Sequence, residues 1–150
     1  MPNTYTQLYY HAVFSTKYRK PSITPHLEER LYPYLNGIAR GIGCTLIIGN
    51  GIEDHVHLLL RAPARLSVSS ILKSLKGDSS RWVHETFASL KNFEWQVGYG
   101  AFSVSTSGVG NVKRYISNQK PHHGRKTFKQ EFVGLLEKHG VEYDERYLWD

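Results

Sequence analysis

Asp54-His55-Val56-His57-Leu58-Leu59-Leu60 lies in an apolar, β-branched context and reads as a strand. Strand side chains alternate between faces, so His55 and His57 point the same way and Val56 the other. Two imidazoles side by side on one sheet face can grip a divalent metal. Two partly buried histidines capping a sheet would leave the same pattern, so the pair alone decides nothing. A second stretch, Tyr115-Ile116-Ser117-Asn118-Gln119, adds a phenol and an amide and gives the pair chemical company.

Working outward from the histidines, Cys44 to Ile48 reads as the preceding strand and Gly49-Asn50-Gly51 as the turn between them. Pro63 stops the histidine strand after about Arg61. Upstream, Gln7 to Ser15 alternates as a strand, with Leu8, Tyr10, Ala12 and Phe14 on one face and Tyr9, His11 and Val13 on the other. Thr24-Pro25 opens a helix whose stripe is Leu27, Leu31, Leu35, Ile38 and Ile42. Ser67 caps another, striped by Val68, Ile71, Leu72 and Leu75. Phe93 to Ser105 holds a fourth strand, and Ser107-Gly108-Val109-Gly110 reads as a flexible joint. A helix from Asn111 carries Tyr115 and Gln119 until Pro121 ends it; a basic loop, His122 to Lys126, and a last helix capped by Thr127 follow. The acidic, aromatic tail Val141–Asp150 receives no role.

The order β-α-β-β-α-β plus two helices predicts an α+β, ferredoxin-like split β-α-β antiparallel sheet. The histidine strand is then central. Helices cover one sheet face and leave the other open for chemistry. At 150 residues, a single domain over 1–150 is expected. A net charge of +6 favours a polyanionic partner. The lone Cys44 excludes an internal disulfide and suits a reducing, cytoplasmic setting. No signal peptide or membrane span is expected.

Tyr115 and Gln119 are four apart, so on one helix they share a face. The Gln119 amide oxygen can join two imidazoles on Mg²⁺ or Mn²⁺, and this neutral ligand set leaves the ion its full double charge. A tyrosine nucleophile has an ordinary pKa near ~10 and is helped by nearby positive charge.

In these residues the chain resembles the single-tyrosine HUH transposases of the insertion sequence 200/605 group. The resemblance rests on Phe14-Ser15-Thr16-Lys17-Tyr18-Arg19-Lys20-Pro21, Asp54 to Leu59, Leu75-Lys76-Gly77, Trp95 to Tyr99, and Tyr115 to His123. It implies obligate dimers that cut and rejoin single-stranded DNA at transposon ends and recognise imperfect hairpins there. His55 and His57 would be the paired histidines, Gln119 the third metal ligand and Tyr115 the nucleophile that takes the 5′ phosphate. In such dimers the tyrosine helix of one subunit can serve the histidines of the other. Lys17, Arg19, Lys76, Lys113, Arg114, Arg125 and Lys126 are candidate phosphate contacts. The alternatives are a domesticated hairpin-binding module without cleavage and a related repeat-mobilising nuclease.

Overall fold

In a computed structural model describing residues 3–149, four strands form one antiparallel sheet in the order β2-β3-β1-β4. The strands are β1 (Leu8–Ser15), β2 (Thr45–Ile52), β3 (His55–Ala62) and β4 (Gly100–Val104). The histidine strand β3 is central, as the ferredoxin-like order requires. Helices α1 (Pro25–Gly41) and α2 (Val68–Thr86) pack on one face. The even-numbered side chains Ala12, Phe14, Val56, Leu58 and Leu60 meet Leu27, Leu31, Ile71 and Leu75 there, all fully or almost fully buried. Both helices begin as their sequences dictate. Thr24 Oγ1 accepts from the Leu27 amide with Pro25 at the first helical position, and Ser67 Oγ accepts from the Ser70 amide.

The opposite face is not open. Helices α3 (Val109–Ser117), α4 (Gln119–His122), α5 (Phe128–Lys138) and α6 (Glu145–Leu148) follow the last strand. A second apolar cluster joins Val13 and Phe102 of the sheet to Phe128, Phe132, Leu135 and Leu136 of α5. The α5 stripe is apolar because it has a sheet face to cover, and Thr127 with Gln130 starts it in a capping box. The tail has a structural job: Tyr143, Leu148 and Trp149 pack against that cluster.

Several local expectations fail for identifiable reasons. Gly49-Asn50-Gly51 is no turn but the second half of β2; the hairpin turns at Glu53-Asp54. These positions are glycine because of close approach. A Cβ on Gly49 would come 2.6 Å from the Tyr32 ring, and one on Gly51 would come 2.1 Å from the His55 carbonyl oxygen. A register shift between Leu46 and Ile48 then moves Asn50 onto the face of His57. From there the Asn50 amide donates to the Ile116 carbonyl (2.9 Å) and anchors α3. The fourth strand occupies only Gly100–Val104, while Trp95 makes one isolated bridge to Thr16. The joint at 107–110 is ordered: Thr106–Gly108 is a 3-10 turn capped by Ser105, and Gly110 already lies within α3. Pro121 sits inside α4 rather than ending a helix, because the break falls at Asn118.

Gly51→Ala is expected to destabilise the fold by about 1–3 kcal/mol, the usual cost of forcing atoms into a packed site. Urea unfolding checks this, and an unchanged midpoint would contradict the close approach of Gly51 to the His55 backbone.

Candidate metal centre and tyrosine site

β3 carries His55 and His57 onto the face covered by α3 to α5, and both side chains are fully buried. Their ring centroids are 5.0 Å apart. Beside His57, on β1, His11 brings its Nε2 2.8 Å from His57 Nδ1. His55 Nδ1 is held 2.8 Å from the Asp54 carboxylate. The outward nitrogen of each paired histidine is therefore fixed by a partner, which orients the inward Nε2.

Those inward nitrogens meet a carboxylate. Glu131, the fourth residue of α5, is 3% exposed. Its Oε1 lies 2.9 Å from His57 Nε2, 3.2 Å from His55 Nε2 and 2.9 Å from His123 Nε2. His123 Nδ1 is in turn 2.6 Å from the Lys126 carbonyl oxygen. The donor atoms of His55, His57, His123 and Glu131 all lie within 4.8 Å of one another, so this cluster could hold a metal ion. Imidazole and carboxylate together suit a divalent cation, so the residues fit one.

Gln119 reaches the same point by a different route from the one its spacing suggests. It is not on the helix of Tyr115: α3 ends at Ser117, Asn118 is its cap, and Gln119 opens α4. Its Oε1 is nevertheless 3.2 Å from His55 Nε2, and its amide donates to Glu131 Oε2 at 3.0 Å. Tyr115, half-buried on α3, donates its phenol O–H to Glu131 Oε2, with its ring 5.7 Å from that of His57. One chain thus brings the phenol to its own histidines.

The electrostatics follow from burial and this carboxylate. Burial alone would lower His55, but hydrogen bonds to Asp54 and Glu131 more than offset it and raise its pKa to about 9. His57 falls to about 4, since burial there outweighs Glu131, and His11 falls to about 3 through burial beside His57. Burial would raise the Glu131 carboxyl, yet hydrogen bonds from His123, His55 and His57 hold it well below the usual carboxylate range. Burial and the Glu131 hydrogen bond both push Tyr115 well above the ordinary phenol value.

Glu131 and His123 were not among the candidates read from the sequence. One signal was present: Glu131 lies within the apolar stripe Phe128, Phe132, Leu135 of its helix, where a carboxylate needs a buried partner. The basic candidates divide. Lys113, Arg114, Arg125 and Lys126 are exposed on α3 and the α4–α5 loop. Arg125 and Lys126 line a groove with Asp54 and His123. Lys17 pairs with Glu94 at 3.6 Å, and Arg19 lies over the Trp149 ring. Lys76 Nζ donates to the carbonyls of Gln96, Val97 and Gly98, at 2.7, 3.2 and 2.7 Å. Among the described residues no helix is long and apolar enough to cross a membrane.

The chain is similar to several known proteins. The family described as "Transposase IS200 like" matches residues 4–119. The ISDra2 transposase TnpA of Deinococcus radiodurans is 30% identical over 118 residues, 75% of this chain and 84% of that protein. The transposase for insertion sequence element IS200 of Salmonella typhimurium is 31% identical over 115 residues, 73% of this chain and 75% of that protein. A crystal structure of a candidate transposase from Deinococcus radiodurans superposes with a TM-score of 0.67 at 30% identity, covering 79% of this chain and 95% of that one. A REP-associated tyrosine transposase bound to a REP hairpin shares the fold, with a TM-score of 0.63 at 16% identity over 83% of this chain and 73% of that one. The chain therefore belongs to the IS200-like transposase family.

Proposed function

We propose that this transposase cleaves and rejoins single-stranded DNA at transposon ends through a covalent 5′-phosphotyrosine on Tyr115, assisted by a divalent metal. The observation that carries the reading is the convergence of the Tyr115 phenol, His55, His57 and Gln119 on one point within a single chain. A surface lysine or arginine patch alone would need none of them.

In this reading His55 and His57, with Gln119, would hold the ion. When bound, it supplies Lewis-acid stabilisation of charge on the scissile phosphate. The remaining steps belong to the chain. Tyr115 Oη, oriented by its hydrogen bond to Glu131 Oε2, attacks phosphorus, and the phenol proton passes to solvent. The P–O3′ bond breaks, the 3′ oxygen takes a proton from solvent, and the 5′ phosphate stays on tyrosine. Rejoining reverses these steps with an incoming 3′ hydroxyl. Asp54 and His11 keep the two imidazoles oriented throughout.

The DNA is expected to run over the α4–α5 loop and α3, where Arg125, Lys126, Lys113 and Arg114 would meet phosphates. A second groove, lined by Lys17, Lys73, Lys76, Trp95 and Tyr99, combines cations with aromatic faces and is suited to a hairpin end. There Lys76 would act chiefly by fixing the 96–98 carbonyls, while Arg19, over the Trp149 ring, is not part of the groove's lining. A homodimer belongs to this reading, and light scattering on the purified chain tests it. A hairpin-binding module without cleavage is favoured by one observation, the complete burial of His55, His57 and Gln119.

Two outcomes are expected. Tyr115→Phe abolishes the covalent protein–DNA adduct on oligonucleotides spanning both flanks of the gene in Mn²⁺, while hairpin binding by mobility shift is retained. An adduct with Tyr115→Phe would contradict the nucleophile assignment; a wild-type shift with no adduct would favour the binding module. Replacing Arg125 and Lys126 together by Ala reduces the slope of log K against log salt by about 1.4, twice the value of about 0.7 per phosphate for single strands. A slope unchanged in that titration would remove these two residues from the DNA path.

A further inference from the structure

The family match ends at Gln119, and the two groups that complete the possible metal-holding cluster with the imidazole pair come after it. We infer that Glu131 and His123 are themselves metal ligands, making a three-imidazole, one-carboxylate centre that holds Mn²⁺ or Zn²⁺ in preference to Mg²⁺. This rests on the metal-assisted reading above and revises its ligand set: Glu131 and His123 join the imidazole pair, Gln119 orients Glu131 through its amide, and a metal class and a structural consequence follow.

The outward contacts carry the inference. Nδ1 of His55 is held by Asp54, Nδ1 of His57 by His11, and Nδ1 of His123 by the Lys126 carbonyl. Each ring therefore turns Nε2 inward, all three toward Glu131 Oε1. With protons on Nε2 these contacts are hydrogen bonds to the carboxylate; with Nδ1 protonated instead, the same three nitrogens and one oxygen present lone pairs that a cation can take. Ligand histidines are ordinarily held this way, with the far nitrogen bonded to a carboxylate, carbonyl or other partner. Donors on a four-coordinate ion with bonds of about 2.1 Å stand roughly 3.4 Å apart. The nitrogens here are 2.9 to 3.2 Å from Oε1, so small outward shifts suffice.

The donor chemistry selects the ion. Imidazole-rich sets with one carboxylate suit manganese, zinc and their neighbours, whereas Mg²⁺ prefers oxygen ligands and retained water. Glu131 also cancels one unit of the ion's charge, unlike a set limited to His55, His57 and Gln119. Because His123 and Glu131 lie beyond α4, the ion would tie the C-terminal segment to β3, and binding should stabilise the fold.

The test uses the full chain stripped of metal, titrated with Mn²⁺, Zn²⁺ and Mg²⁺ by calorimetry and thermal shift. The wild type is expected to bind one Mn²⁺ or Zn²⁺ with a rise in Tm, and Mg²⁺ more weakly by at least about tenfold. Glu131→Gln and His123→Ala are each expected to weaken Mn²⁺ by about tenfold or more. His57→Ala should remove binding. Mn²⁺ affinity unchanged in Glu131→Gln and His123→Ala but lost in His57→Ala overturns this inference and leaves the metal-assisted reading intact. Affinity retained in all three variants sinks that reading as well, and equal Mg²⁺ and Mn²⁺ affinities overturn the metal preference. Should a variant fold poorly, pulsed EPR of Mn²⁺ on the wild type counts coordinated imidazoles: three support the assignment and two refute it.

Discussion

A carboxylate stripped of water must find compensation, and Glu131 finds it in three imidazoles from two distant parts of the chain. Removing one partner from a buried charged pair typically costs about 3–5 kcal/mol. That scale makes the knot comparable to the net stability of a small domain. It fixes where α5 lies on the sheet, and the apolar contacts of Phe128, Phe132 and Leu135 then close around it. The Tyr115 phenol and the Gln119 amide take their positions from the second oxygen of the same carboxylate.

The sheet was legible because its period is short and its faces are chemically distinct. Ala12, Phe14, Val56 and Leu58 alternate with His11, Val13, His55 and His57, and pairing follows once the hairpin is in register. The β2 glycines misled because Gly-Asn-Gly is also turn composition; only the positions of the Tyr32 ring and the His55 carbonyl reveal why side chains are excluded there. The site was half legible. Local spacing brought His55, His57, Tyr115 and Gln119 forward as candidates and the family resemblance suggested their roles, but the shared helix expected for the last two is broken at a single non-helical residue, Asn118. His123 and Glu131 do not, because their meeting depends on how a loop and a late helix cross the sheet. The second sheet face was expected to be open for a related reason: the stripe on α5 shows that the helix buries something without saying what.

The neighbouring histidines show how little distance is needed to separate proton affinities in a dry site. His55 and His57 are two residues apart and share Glu131, yet one rises to about 9 and the other falls to about 4. The difference is Asp54, an additional anion on His55, whereas at His57 burial outweighs Glu131 and the imidazoles of His55 and His123 oppose the charge further. In stability terms, a raised His55 stabilises the folded state below its ordinary value, and that contribution fades as pH rises through about 9. The depressed His57 acts in the opposite sense, favouring the neutral ring in the fold over the neutral range.

Tyr115 sits at the border of this closed cluster. It is half-buried, and a cleft lined by His11, Ser103, Asn111, Lys138 and His139 reaches it between β4, α3 and α5. The imidazoles behind it are fully buried. Anything approaching through that cleft therefore meets the phenol before the histidines. In the proposed reaction this order matters, because the same Glu131 that positions the phenol also keeps its proton on. Positive charge placed on the far side of Glu131 would weaken that hold without moving the ring, since one carboxylate oxygen faces the imidazoles and the other faces the phenol. The carboxylate is thus the electrostatic link between the metal-binding half of the site and the nucleophile, and its two oxygens keep the halves in contact with different partners.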